Sequence, residues 1–113
     1  MLTLYGIKNC DTVKKARRWL EDHGIEYQFH DFRQDGLDKK QLSVWVEQLG
    51  WEAVVNKRST TWRNLSDKDK GLTTNTQAVK LLSANPTLIK RPIVEKNKTL
   101  FVGFKEAEFQ KIK

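Results

Sequence analysis

The chain has 113 residues, 21 Lys and Arg against 14 Asp and Glu, a formal net charge of +7 and one cysteine. That length suits one domain, residues 1–113, able to build a single core without metal or disulfide. The hydrophobic and charged shares, 38% and 31%, exclude a disordered chain, and the lone cysteine excludes a disulfide-stapled secreted scaffold.

The opening "MLTLYG" is apolar enough for a short buried strand ended by Gly6. In "DTVKKARRWLEDHG", Val13, Ala16, Trp19 and Leu20 recur at helical spacing, with Lys and Arg on the other face. Asp11 or Thr12 is the expected cap, and Gly24 the stop. "IEYQFHDF" alternates Ile25, Tyr27 and Phe29 against Glu26, Gln28 and His30, a half-buried strand. Strand, helix and strand within about thirty residues make a βαβ unit.

The middle, from about 37 to 85, reads as a mainly helical insertion. "LDKKQLSVWVEQLG" sets Leu37, Leu42, Trp45, Val46 and Leu49 on one face, closed by Gly50. "WEAVVNKRSTTWRNL" predicts a short helical turn running into a loop, and Ser66 with "DKDKG" a capped turn. Asn75 or Thr76 is the expected cap of "TQAVKLLSAN", a helix broken by Pro86.

Strands return at the end. "RPIVEK" and "TLFVGF" flank Asn97-Lys98, a hairpin turn candidate. "KEAEFQKIK" predicts an amphipathic helix with Ala107, Phe109 and Ile112 inward. A βαβ unit, a helical insertion and then ββα is the plan of an α/β, thioredoxin-like fold.

Cys10 lies where the first strand gives way to the first helix. A lone cysteine in a domain of this size is either a small buried residue with no chemistry or a nucleophile. The position favours the second. The thiolate is the attacking form, and a helix start offers unpaired N–H groups and the positive end of the dipole to an anion. Lys8 adds a nearby positive charge. Asp11 opposes it if its carboxylate points at the sulfur. The segment reads "CDTV", with no second cysteine three residues on, so disulfide chemistry here would be monothiol, its second sulfur supplied from outside.

The segments "YGIKNCDTVKKA", "NKRSTTWR" and "LIKRPIV" together resemble the ArsC family of arsenate-reductase-like proteins, and within it the YffB-like subgroup related to Spx regulators. The resemblance covers nearly the whole chain. It implies a thioredoxin-like fold with a helical insertion, a nucleophilic cysteine at Cys10, and anion-binding arginines at Arg58 and Arg91. It also implies a cis Pro92 beside the cysteine; Asp11 and Thr12, next along the chain, are further site-shaping candidates. Glutathione is the implied co-substrate, with glutaredoxin as a further partner. Arginine suits such a site because its fork of donors binds carboxylates and oxyanions at any working pH.

Arsenate reductases of the family read Cys-Gly-Thr-Ser where this chain reads "CDTV". Asp11 brings a charge of the same sign as arsenate, Val13 removes a hydroxyl donor, and Lys105 stands where a third arginine is expected. These differences favour a glutathione-dependent thiol reductase acting on a thiol substrate over reduction of a small oxyanion. An arsenate reductase and an Spx-like regulatory binding protein without turnover are the alternatives. For the last, Trp51 and Trp62 beside Lys57, Arg58 and Arg63 would form a contact surface, although aromatic residues at such spacing more often belong to a core.

The basic residues are spread along the chain without a dense Lys/Arg block, which favours a solvated basic surface over nucleic-acid binding. His23 and His30 have neither a second cysteine nor metal-ligand spacing, so neither a metal nor any other bound cofactor is expected. "MLTLYGIKNCD" lacks the pattern of a signal peptide and no apolar run is long enough to span a bilayer, so a cytoplasmic protein without membrane contact is expected.

Overall fold

The computed structural model describes residues 2–112; Met1 and Lys113, which the sequence assigns to the first strand and the last helix, lie outside the described residues. In chain order the elements are β1 (Leu2–Gly6), α1 (Asp11–Asp22), β2 (Tyr27–Asp31), α2 (Lys39–Leu49), α3 (Trp51–Val54), α4 (Thr60–Arg63), α5 (Asp67–Lys70), α6 (Asn75–Ala84), a 3-10 turn (Pro86–Leu88), β3 (Ile93–Lys96), β4 (Thr99–Val102), α7 (Glu106–Phe109) and a closing 3-10 turn (Gln110–Ile112). They fall into two compact units, residues 1–36 with 91–113, and residues 37–90.

The first unit is a four-stranded sheet in the order β2-β1-β3-β4. β1 and β2 are parallel, with Leu2 opposite Tyr27 and Gly6 opposite Asp31. β3 runs antiparallel to β1, and β4 antiparallel to β3. This is the βαβ-then-ββα arrangement, and the fold is α/β and thioredoxin-like. The core follows from the two sequence periods. Leu2 and Leu4 of β1 and Val13, Ala16, Trp19 and Leu20 of α1 are buried together with Val94, Phe109 and Ile112. Phe109 meets Trp19 edge-on, with ring centroids 5.4 Å apart.

β2 is an edge strand and is half-buried through Phe29. Arg17 of α1 covers it, its guanidinium carbon 4.1 Å from the Phe29 ring centroid and its Nε donating to the Tyr27 hydroxyl at 3.0 Å. That hydroxyl in turn donates to Glu21 at 2.7 Å. Burial of the ring pushes the Tyr27 phenol above its ordinary value.

α1 is fixed at both ends by glycine. Gly24, at φ +65°, ends it, with the Gly24 and Ile25 N–H groups donating to the carbonyls of Glu21 and Leu20. At the other end Gly6 faces Val13: a Cβ at Gly6 would lie 2.7 Å from Val13 Cγ2. The helix starts one residue earlier than the sequence suggests. Cys10, extended at φ −132°, is the N-cap residue, its carbonyl accepting from the Lys14 N–H at 2.9 Å. Asp11 and Thr12 are therefore already helical, and neither caps the helix.

One further expectation is corrected, and the expected Asn97-Lys98 turn is present between β3 and β4. α7 lasts one turn before tightening into 3-10 geometry, which leaves Ala107 exposed while Phe109 and Ile112 are buried. In the hairpin, Asn97 takes the left-handed conformation at φ +58°, one that asparagine tolerates.

The second unit is helical. α2 buries Leu42, Trp45 and Val46 and packs on α6, which buries Ala78 and Leu82. Asp38 caps α2 by accepting from the Lys40 N–H at 3.0 Å, so Leu37 lies ahead of the helix rather than on its face. α6 is capped by Thr74, which accepts from the Gln77 N–H at 3.2 Å, and not by Asn75 or Thr76. The Gln77 side chain returns to the Thr73 N–H at 2.9 Å, much as in a capping box. The expected loop after α3 contains α4, capped by the Ser59 hydroxyl, which accepts from the Trp62 N–H at 3.1 Å. No helix among the described residues is long and apolar enough to cross a membrane.

Gly6→Ala should lower stability by about 1–3 kcal/mol through overpacking against Val13, read as a lower urea midpoint at unchanged slope. Thr74→Ala should cost about 1 kcal/mol for its lost cap. Thr76→Ala, inside the same helix, should change stability by less than about 0.5 kcal/mol; equal losses at the two positions would contradict the assigned cap.

Candidate active site

The strand register gathers the predicted site residues of the first unit at one end of the sheet. Gly6, the last residue of β1, is opposite Asp31, the last residue of β2. Tyr5 is opposite Ile93, the first residue of β3, and Ile93 is opposite Val102, the last of β4. The segments carrying Lys8 and Cys10, Arg91 and Pro92, and Lys105 therefore all join the sheet at this end. The N-terminus of α1, with Asp11 and Thr12, follows directly from Cys10.

Pro92 is buried, and the Arg91–Pro92 peptide bond is cis, as the resemblance implies. Its carbonyl accepts from the Gly103 N–H at 2.8 Å, which ties the chain after β4 to the chain before β3. Arg91 is half-buried; Lys8 and Lys105 are exposed.

Cys10 is a free, half-buried thiol packed against the core of the first unit. An N-cap side chain is placed to accept from the N–H groups of the first helical turn. At α1 no side-chain cap hydrogen bond is made. Cys10 thus stands at the positive end of the helix dipole, the favourable end for an anion, without a side-chain bond at the cap. Asp11 and Thr12 are exposed in the first turn.

Sequence reasoning missed Asp31. Its side chain is buried, at 3% exposure, and accepts three backbone hydrogen bonds. Oδ1 takes the N–H groups of Arg33 at 2.7 Å and Gln34 at 3.3 Å, and Oδ2 takes the N–H of Lys8 at 3.1 Å. A signal existed: Asp31 continues the inward series Tyr27, Phe29 at strand spacing, and a carboxylate at an inward position needs partners.

Arg58 belongs to the second unit, exposed on the loop between α3 and α4. That loop is well fixed. The Asn56 N–H donates to the Leu88 carbonyl at 2.8 Å, and Asn56 Oδ1 accepts from the Arg58 N–H at 3.1 Å. Neighbouring Lys57 places its Nζ 5.4 Å from the Trp51 ring centroid and 5.6 Å from that of Trp62. Both indoles are half-buried, so they are neither a full core nor a free platform. Among the described residues no cluster of three or more His, Cys, Asp or Glu side chains could hold a metal ion. His23 and His30 are engaged by the carbonyls of Trp19 and Gly36.

Comparison with known proteins gives the family. Residues 5–112 match the ArsC family. An uncharacterized protein of Haemophilus influenzae is 54% identical over 110 residues, covering 97% of this chain and 96% of its own length. The global transcriptional regulator Spx of Streptococcus mutans is 31% identical, over 97% of this chain and 81% of its own. Among solved structures, a YffB protein superposes with a TM-score of 0.94 at 40% identity, over 98% of this chain and 97% of its own. The chain belongs to the ArsC family, on its YffB-like, Spx-related side.

Proposed function

We propose that the protein is a glutathione-dependent thiol reductase with a monothiol mechanism. The observation that carries this reading is the place of the chain's one cysteine: Cys10 is the N-cap residue of α1, at the positive end of the helix, and its side chain makes no cap hydrogen bond. In the proposed cycle the Cys10 thiolate attacks the glutathione sulfur of a mixed disulfide. The substrate leaves as its thiolate and takes a proton, and Cys10 is left joined to glutathione. A second glutathione thiolate attacks that disulfide, forming oxidised glutathione and restoring the Cys10 thiolate. The reducing equivalents come from the incoming glutathione, the other half of the oxidised glutathione being the one the substrate carried, which fits a chain with no second thiol of its own.

Arg91, Lys8 and Lys105 supply positive charge from three separate segments for an anionic partner such as a glutathione carboxylate. Pro92, with Asp11 and Thr12, shapes the surroundings of Cys10. Arg58 is an anion-binding candidate of the second unit. Glutaredoxin is a possible acceptor of the glutathione adduct in place of free glutathione. The exposed Asp11 carboxylate, next to the nucleophile, disfavours arsenate as the substrate. The expected setting is the cytoplasm, where glutathione keeps thiols reduced.

Incubation with oxidised glutathione should add one glutathione per chain, seen by mass spectrometry, and excess reduced glutathione should remove it. Cys10→Ser should abolish the adduct. Arg91→Ala should slow its formation by at least about tenfold, the loss of one charge-assisted hydrogen bond. Arsenate-dependent oxidation of glutathione through glutaredoxin, lost in Cys10→Ser, would assign the site to arsenate instead. Lys57 over Trp51 and Trp62, together with the Spx relative, favours a second reading as a regulatory binding protein. That reading wins if no adduct forms and a stable complex with a large partner survives Cys10→Ser.

A further inference from the structure

We infer that Asp31 is a positioning residue for Cys10, acting through the backbone of Lys8. The inference rests on the reading of Cys10 as the nucleophile and extends it to a residue that touches no substrate. Between Gly6 and Cys10 lie Ile7, Lys8 and Asn9. Ile7 is buried, and Lys8 and Asn9 form the turn. The Lys8 N–H is held by Asp31 Oδ2 at 3.1 Å, two residues before the nucleophile. The opposite oxygen, Oδ1, is held by the N–H groups of Arg33 and Gln34 just after β2. The Asp31 N–H donates to Asp35 Oδ2 at 3.0 Å, and the Asp31 carbonyl accepts from the Asp35 N–H at 2.8 Å. The Phe32 N–H donates to the Gly6 carbonyl at 2.9 Å, so the two loops are joined twice.

A carboxylate is the one side chain of this size that accepts on both oxygens. An asparagine of the same shape accepts on one only. Asp31→Asn would keep its oxygen toward Arg33 and Gln34, where two donors converge, and turn its amide NH₂ toward the Lys8 N–H. Donor would then face donor, and the bond to the Cys10 loop alone would be lost. Left without its acceptor, the part-buried Lys8 N–H would turn elsewhere and draw the loop away from its present course. Cys10 would lose its fixed place at the first turn of α1.

The substitution also removes a negative charge from this end of the sheet, and that makes the test directional. Simple electrostatics predicts that losing a nearby carboxylate favours the Cys10 thiolate. Loss of positioning predicts the opposite, because a displaced loop no longer holds Cys10 at the positive end of the α1 dipole. The other ionisable groups on the joined segments, namely Lys8, Asp11, Arg33, Asp35, Arg91 and Lys105, are the same in both proteins.

The experiment is the pH profile of Cys10 alkylation by iodoacetamide, with amide hydrogen exchange at Lys8, Arg33 and Gln34, in the full chain and in Asp31→Asn. Glutathione plays no part, so failure of the proposed reductase activity leaves this test intact. The expected result is a profile midpoint raised by about half a pH unit or more, with protection lost at Lys8 and kept at Arg33 and Gln34. A midpoint that stays put, or falls, overturns the inference, even if the variant is less stable. If Asp31→Asn does not fold, exchange in the native chain still decides: a Lys8 amide exchanging as fast as an unstructured one overturns it.

Discussion

The contact between Gly6 and Val13 governs the geometry of the candidate site. Gly6 ends β1, Val13 is the first buried residue of α1, and the two pack so closely that even a methyl group at Gly6 would collide. Helix and strand are thus locked together within one turn of the point where the helix begins, and that point is Cys10. Between the two locked ends only Ile7, Lys8 and Asn9 remain to close the turn. A connection so short between two fixed ends has few conformations, and the Lys8 N–H is already assigned to Asp31. Cys10 is therefore bounded in position by packing on one side and by a hydrogen bond to a buried carboxylate on the other. Its own side chain contributes nothing to the cap.

The register of the sheet does the rest. Because β1 runs parallel to β2 but antiparallel to β3, the chain leaves β1 and β2 at the same end where it enters β3 and leaves β4. Three segments far apart in sequence, around residues 8, 91 and 105, bring a positive charge each to this end. Asp11, Asp31 and Asp35 lie at the same end, so topology gathers charges of both signs there from segments that show no dense block in the sequence.

What could be read without the structure depended on whether the signal was periodic or local. Val13, Ala16, Trp19 and Leu20 at helical spacing disclosed α1 and its buried face, and the order of strands disclosed the fold. Cap assignments failed at both α1 and α6 by one or two residues, because each start offers several adjacent polar side chains. Asp11 and Thr12 compete with Cys10, and Asn75 and Thr76 with Thr74, and only backbone conformation decides among them. α4 was missed because four residues carry no periodicity. Asp31 was missed for a different reason. Its partners are backbone N–H groups at positions 8, 33 and 34, which have no signature in sequence. Tyr5 shows the same limit on a smaller scale: burial, reinforced by the charge of Glu95 on the neighbouring strand, raises its phenol above the ordinary value, an effect that only strand pairing creates.

The absence of a second sulfur also has a structural counterpart. In a Cys-x-x-Cys pair the partner sulfur comes three residues after the first, which is position 13 in this chain. Val13 is fully buried there and is committed to the contact with Gly6 that seats α1 on β1. A thiol at that position would give up the packing that Val13 makes against Gly6, at a place where strand and helix are in close contact. On the proposed reading, then, the resolving thiol comes from outside because the inside position holds the helix in place. An external thiol must approach from solvent, past the exposed Lys8, Asp11 and Lys105, so the balance of charge among these side chains selects which thiol arrives. One carboxylate beside two lysines leaves the approach open, on the proposed reading, to a peptide that carries both an ammonium group and carboxylates. A small, uniformly negative oxyanion would meet the Asp11 charge with no positive group of its own to offset it.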